Sequence, residues 1–330
     1  MPAGKNFLCG AVWLKIPISY IIIAAQITPA ECRSKEKKMP KVYIIDVTNR
    51  DGVQTSRIGL AKLEKTIINM LLNEMGVFQS EIGFPFTHHE QNYINANLEL
   101  AKMGVLAPMR LEGWARALKK DVELGYSLCP NIKHMNLSIS TSEIMMTSKF
   151  LGKMSKKQIL DSMRDAVKTA YDKGAETVGV NAEDASRTNL DFLVEYAIAA
   201  KEAGAKRIRY CDTLGADDPG MIYERIKHLA THAKLPVELH CHNDIGMAVA
   251  CSVMGAKGAI DGGQDAYINT TVNGVGERAG NADLLAVLLA LKYGSGLKDK
   301  GLMPEGIDLK KAWEIAQYAS YAFRIPIPIN

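Results

Sequence analysis

The chain has 330 residues, 47% hydrophobic and 23% charged, ordinary values for a folded globular protein and too apolar for a disordered one. Its net charge of +4 is small for this length and its basic residues are scattered among acids, so nothing marks a nucleic-acid surface. Six cysteines, at 9, 32, 129, 211, 241 and 251, form no C-x-x-C pair and no dense framework, which points to reduced thiols in the cytoplasm.

The first forty residues differ from the rest. Residues 16–27 are apolar but fall short of the roughly 20 residues a membrane span needs, so no membrane association is expected. With Lys5 and Lys15 ahead and Ala24-Ala25 near its end, the stretch has a weak likeness to a signal peptide. A charged run, 33–38, then leads straight to Met39 and the first strand. Residues 1–38 are therefore expected to be a disordered or non-native extension, with Met39 the natural start.

From there apolar, strand-like runs alternate with helix-patterned segments. A strand over 42–48 precedes a helix over 60–75; a strand over 77–85 precedes a helix containing 93–103. Further strands are predicted over 109–114, 134–140, 178–183, 207–213, 237–243 and 266–272. Gly174, Gly204 and Gly258 are placed to end the helices between them. Eight such units predict an α/β fold, a (β/α)8 TIM barrel with its catalytic domain over 39–296. The alternative, a doubly wound open sheet, lacks its G-x-G-x-x-G after the first strand. Residues 313–323 have helical spacing and 324–330 read as extended, so 297–330 is expected to be the start of a truncated C-terminal helical subdomain.

Barrel chemistry belongs at the C-terminal ends of the strands, and the polar residues gather there. Strand seven carries His240 and His242, which alternation turns to one face while Leu239 and Cys241 take the other. Two imidazoles and a carboxylate make a site for a divalent metal acting as a Lewis acid, with Asp51 the natural third ligand and Asn273 a further amide donor. Donors of N and O without thiolate suit Mn²⁺, Mg²⁺, Co²⁺ or Zn²⁺ and leave the choice open. Arg50 is a candidate for pairing with a substrate carboxylate or polarising a carbonyl. Glu183 is a candidate acid, base or water-positioning group. Asp212 and Asp244 also fit helix N-caps.

Taken together, Asp46-Val47-Thr48-Asn49-Arg50-Asp51-Gly52-Val53-Gln54, Glu81-Ile82-Gly83-Phe84-Pro85, Glu183-Asp184, Asp212-Thr213-Leu214-Gly215, His240-Cys241-His242-Asn243-Asp244 and the run from Gly274 to Asn281 resemble the 2-isopropylmalate synthase and homocitrate synthase family, the DRE-TIM metallolyases. Within that family the run is most similar to the citrate synthases of Re type. The likeness covers roughly residues 41–295, in the family's order. It implies a Claisen condensation of acetyl-CoA with a 2-oxo acid, followed by thioester hydrolysis, in a homodimer. By position, Asp51, His240 and His242 would hold the metal and Arg50 would stabilise charge on the keto oxygen. Thr213 would bind the substrate carboxylate, Gln54 and Glu81 would line the pocket, and Glu183 would assist proton transfer. The loop with Gly274, Gly276, Glu277 and Gly280 would face acetyl-CoA.

Two departures sharpen this expectation. Homocitrate synthases of the lysine pathway place an Arg four residues before the strand-five Glu, where this chain has Gly179. That favours a shorter diacid, oxaloacetate, over 2-oxoglutarate, with Arg110 or Arg209 holding its distal carboxylate. The family's catalytic His comes from a C-terminal subdomain, and no His follows His242 here. The remaining readings are a homocitrate, 2-isopropylmalate or citramalate synthase, a 3-hydroxy-3-methylglutaryl-CoA lyase type of enzyme, and an inactive truncated barrel. A biotin-linked carboxyltransferase would need a Lys in a strand, and a zinc amidohydrolase would carry its H-x-H on strand one.

Overall fold

The structure, a computed structural model, describes residues 39–328. What the sequence suggests for 1–38 lies outside them. Eight parallel strands close into a barrel in chain order: β1 (Val42–Asp46), β2 (Gln79–Gly83), β3 (Arg110–Arg116), β4 (His134–Ser140), β5 (Thr177–Glu183), β6 (Arg207–Asp212), β7 (Val237–Cys241) and β8 (Ala266–Thr270). The helices between and after them are α1 (Lys62–Met75), α2 (His88–Lys102), α3 (Lys119–Leu128), α4 (Glu143–Ser148), α5 (Lys156–Asp172), α6 (Leu190–Glu202), α7 (Pro219–Ala233), α8 (Ala248–Asp261), α9 (Leu284–Tyr293), α10 (Ser295–Lys298) and α11 (Ala312–Phe323). This is the expected TIM barrel. Among the described residues no helix is long and apolar enough to cross a membrane.

Local sequence sets where the helices begin. Ser155 and Gln158 form a capping box on α5, and Asp218 caps α7 with Pro219 in its first turn. Asp212 caps no helix; its carboxylate instead accepts the backbone N–H groups of Ala216 and Asp217, at 2.9 and 3.1 Å. Asp244 likewise caps none and pairs with Arg278.

Gly174 and Gly204 follow helices at positive φ, as expected, but Gly258 does not end α8. It lies inside that helix, where an added Cβ would stand 2.5 Å from the Tyr223 carbonyl oxygen of α7. Close packing of two helices, not a turn, requires this glycine. Gly258→Ala would gain about 1 kcal/mol of helix propensity but lose about 1–3 kcal/mol to overpacking against backbone. Thermal unfolding should therefore show a net loss of stability; a raised Tm would refute the packing account.

Along β7 the outward residues Val237, Leu239 and Cys241 are buried among helices, while Glu238 and His240 face the lumen. The lumen is charged rather than apolar. Its floor stacks Tyr43 on Tyr267 with centroids 4.9 Å apart, with Phe78 beside both. Above it Arg207 and Arg209 of β6 meet Glu81 of β2, Glu112 of β3 and Glu238 of β7. All five are buried, and removing one partner of such a pair costs about 3–5 kcal/mol.

Beyond the barrel, α11 packs on α1, and the side chain of Asn273 donates to the Ala316 carbonyl of α11 at 2.9 Å. The N–H of Asp308 reaches the last carbonyl of α1 at 2.9 Å.

Candidate active site

β1 ends at Asp46, two residues earlier than its apolar pattern, because the chain turns there. The amides of Arg50 and Asp51 both fold back to the Val47 carbonyl, at 3.1 and 2.8 Å. That turn carries Asp51 over the barrel mouth, and β7 delivers His240 and His242 to the same place. His240 Nε2 lies 3.0 Å and His242 Nε2 3.8 Å from one Asp51 oxygen. The imidazoles meet edge to face with centroids 5.0 Å apart. The three groups are buried and form a cluster with metal-binding spacing.

The environment fits a cation. Burial opposes charge on Asp51, but the Arg50 guanidinium and the two imidazoles outweigh it and hold the carboxyl well below its ordinary range. Burial, with His240 alongside, pushes His242 down to about 4, so it is a neutral donor at pH 7. Asp51 Oδ1 and His242 Nδ1 are buried without hydrogen-bond partners. Donors about 2.1 Å from a common ion lie up to about 4.2 Å apart, and both measured separations fall inside that limit. The residues therefore suit a divalent metal.

Asn273 is not part of this cluster. Its amide is turned to α11, held by Ala316. The amide at the site is Asn281, whose Nδ2 stands 3.5 Å from Asp51 Oδ2 and whose Oδ1 has no partner. Gly276 is required here, since an added Cβ would lie 1.8 Å from that Asn281 oxygen. His242 and Asn281 form an isolated bridge, so the glycine loop is tied directly to β7. Gly274 and Gly280 close the loop on itself, and only Glu277 of the four expected acetyl-CoA-side residues reaches the cavity wall.

The cavity above the cluster measures about 360 Å³ and is lined by Arg50, Gln54, Trp114, Asn181, Glu183 and Thr213, among others. Arg50 donates to Glu81 and, at 3.1 Å, to Asp51, and lies over Trp114. Its Nη2 is buried and uncommitted. Thr213 Oγ1 accepts the Asp184 amide at 2.9 Å, which leaves its own proton free to donate. Glu183 is gripped by Ser140 at 2.7 Å and by Lys149 at 2.6 Å. Its neighbour Asp184 turns away to Ser142 and Arg187 and fixes the loop.

Three expected substrate contacts fall elsewhere. Arg110 opens β3 at the opposite end of the barrel, over Phe78, about 13 Å below Trp114 at 3.3 Å per residue. Arg209 lies beneath the cavity, fully buried, its Nε and Nη2 held by Glu238 and Glu81 at 2.6 Å each. Glu81 is equally buried between Arg50 and Arg209. Ser140 was not legible as a site residue, since β4 carries no charged residue at its C-terminal end, nor was Lys149, which follows the short helix α4. Asn281 stood in the glycine run, and its Asn-ending pattern was the available signal.

Over residues 41–318 the sequence matches the HMGL-like protein family. The chain belongs to that family. Within the family it is 61% identical over 292 residues to the citrate (Re)-synthase of Dehalococcoides mccartyi, an alignment covering 88% of this chain and 70% of that one. It is 41% identical to 2-isopropylmalate synthase 2 of Caldanaerobacter subterraneus, covering 88% and 71%. To homocitrate synthase 1 of a Nostoc species it is 35% identical, covering 88% and 72%. The chain thus spans about seven-tenths of these relatives' length. A hydroxymethylglutaryl-CoA lyase from Pseudomonas aeruginosa superposes with a TM-score of 0.68 at 18% identity, covering 86% of this chain and 93% of that one. That likeness shows the barrel fold alone.

Proposed function

We propose that this protein is an acyltransferase that condenses acetyl-CoA with oxaloacetate and water to give citrate and CoA. The observation that carries this reading is the 61% identity to a citrate (Re)-synthase over 292 residues, 88% of this chain. Asp51, His240 and His242 would hold a divalent metal, Mn²⁺ or Mg²⁺ before Co²⁺ or Zn²⁺, which supplies Lewis-acid polarisation of a carbonyl.

The chain's own groups account for the remainder. Glu183 takes a proton from the acetyl methyl group, and the carbon so exposed attacks the keto carbon of oxaloacetate. Negative charge grows on the keto oxygen, where the free Nη2 of Arg50 strengthens its hydrogen bond most in the transition state. The Thr213 hydroxyl donates to the adjacent carboxylate. With Arg110 and Arg209 held elsewhere, the further cations on the cavity wall for the distal carboxylate are Arg116, bonded to Asp121 through Nε and Nη2, and Lys149, bonded to Glu183. Gly179 is occupied territory: a Cβ there would stand 3.0 Å from Asn136 and 3.2 Å from the Arg207 guanidinium carbon. Water then cleaves the thioester. The protein acts in the cytoplasm, where Cys129, Cys211, Cys241 and Cys251, buried thiols among the described residues, stay reduced, and as a homodimer.

CoA release from acetyl-CoA should be measured with oxaloacetate, 2-oxoglutarate and 2-oxoisovalerate in the presence of Mn²⁺. One methylene more, or a carboxylate lost, should lower kcat/KM by about 10–200-fold against oxaloacetate. Equal rates for all three would defeat the substrate assignment.

A further inference from the structure

A closed circuit of side chains runs beneath the metal-binding cluster. Arg50 donates to one oxygen of Glu81, and Arg209 donates to the other at 2.6 Å. Arg209 also donates to Glu238 Oε1 at 2.6 Å, and the Asn269 amide nitrogen donates to that same oxygen at 2.7 Å. The Asn269 oxygen then faces His240 Nδ1 at 3.0 Å. His240 and Arg50 both return to Asp51, closing the loop. Every member of it is at least nine-tenths buried.

The direction of each bond follows from the one before it. Arg209 has only donors, so Glu238 is the acceptor; Glu238 takes the NH₂ side of Asn269, so Asn269 presents its oxygen. An oxygen can meet His240 Nδ1 only if that nitrogen carries the proton. The other ring nitrogen, Nε2, stands 3.0 Å from Asp51 and is the one that would serve as metal donor.

We propose that Asn269, oriented by Glu238 and Arg209, is a positioning residue that sets the His240 tautomer for metal binding. This rests on the metal-site reading given above. The same circuit, continuing through Glu81, aims Arg50. Partners of this kind change metal affinity by about 10–100-fold when removed.

Two variants separate positioning from general support of the fold. Asn269→Leu deletes the acceptor for His240, whereas Asn269→Asp keeps it but sets a second carboxylate against Glu238. Asn269→Asp should lower Tm yet hold Mn²⁺ with an affinity within about threefold of wild type. Asn269→Leu should lose about 10–100-fold by titration calorimetry. Long-range ¹H–¹⁵N spectra of metal-free, ¹⁵N-histidine-labelled wild type should show His240 protonated at Nδ1, and Asn269→Leu should lose that proton. Affinities that follow Tm rather than the acceptor would overturn the proposal. So would a wild-type His240 with a bare Nδ1 and its proton on Nε2 alone, which can be read even if a variant fails to fold. Wild type that shows the Nδ1–H tautomer but takes up no Mn²⁺ would overturn the metal reading, and with it the purpose assigned to Asn269.

Discussion

His242→Ala is expected to abolish measurable Mn²⁺ binding and CoA release together. Among the described residues Asp51, His240 and His242 converge on the site, and His242 supplies its donor through a nitrogen 3.8 Å from the Asp51 oxygen. Its ring is also neutral at pH 7, as a ligand must be, because burial depresses its pKa to about 4. Losing a direct donor should exceed the roughly 10–100-fold loss typical of an outer partner, so the affinity should fall at least about 100-fold. The neighbouring residue is the control. Cys241 faces α8, where Cys251 and Ser252 lie, and Cys241→Ala should cost only about 1 kcal/mol of stability while leaving Mn²⁺ affinity near wild type. Equal loss of affinity in both variants would mean that β7 presents its other face to the lumen.

Glu183→Gln should separate chemistry from metal binding. Glu183 lies outside the Asp51, His240 and His242 cluster but on the same cavity wall, so Mn²⁺ affinity should be unchanged. Glutamine keeps the shape and the bond from Ser140 but takes no proton, and general-base catalysis is worth about 10²–10⁴-fold. The loss should appear in kcat with KM little changed. A kcat within fivefold of wild type would remove Glu183 from the proton-transfer step and turn attention to Lys149, which bonds both of its oxygens at 2.6 and 2.8 Å.

The barrel was legible because its strands are short apolar runs bounded by turns and spaced by helices, a pattern that local chemistry writes directly into the chain. Asp51, His240 and His242 were legible because alternation and strand position place them together without any knowledge of angles. What escaped was whatever depends on which lumen groups are already satisfied. Arg110 and Arg209 both read as free cations, yet one sits at the wrong end of its strand and the other is buried beneath the cavity and held by two carboxylates. Sequence counts charges but not their partners. Asn273 and Asn281 show the same limit at shorter range, since eight residues of glycine-rich loop decide which amide turns inward.

The charged lumen also constrains how this protein can change over generations. Glu81, Glu112 and Glu238 face Arg207 and Arg209 with no solvent to relax a mismatch. A single neutralising replacement strands its partner, whereas a matched pair of replacements need not, so the two effects will not add. Drift in the lumen is thereby confined to compensated steps. Substrate preference can shift through the residues of the cavity wall, while the foundation beneath the metal-binding cluster moves only in pairs.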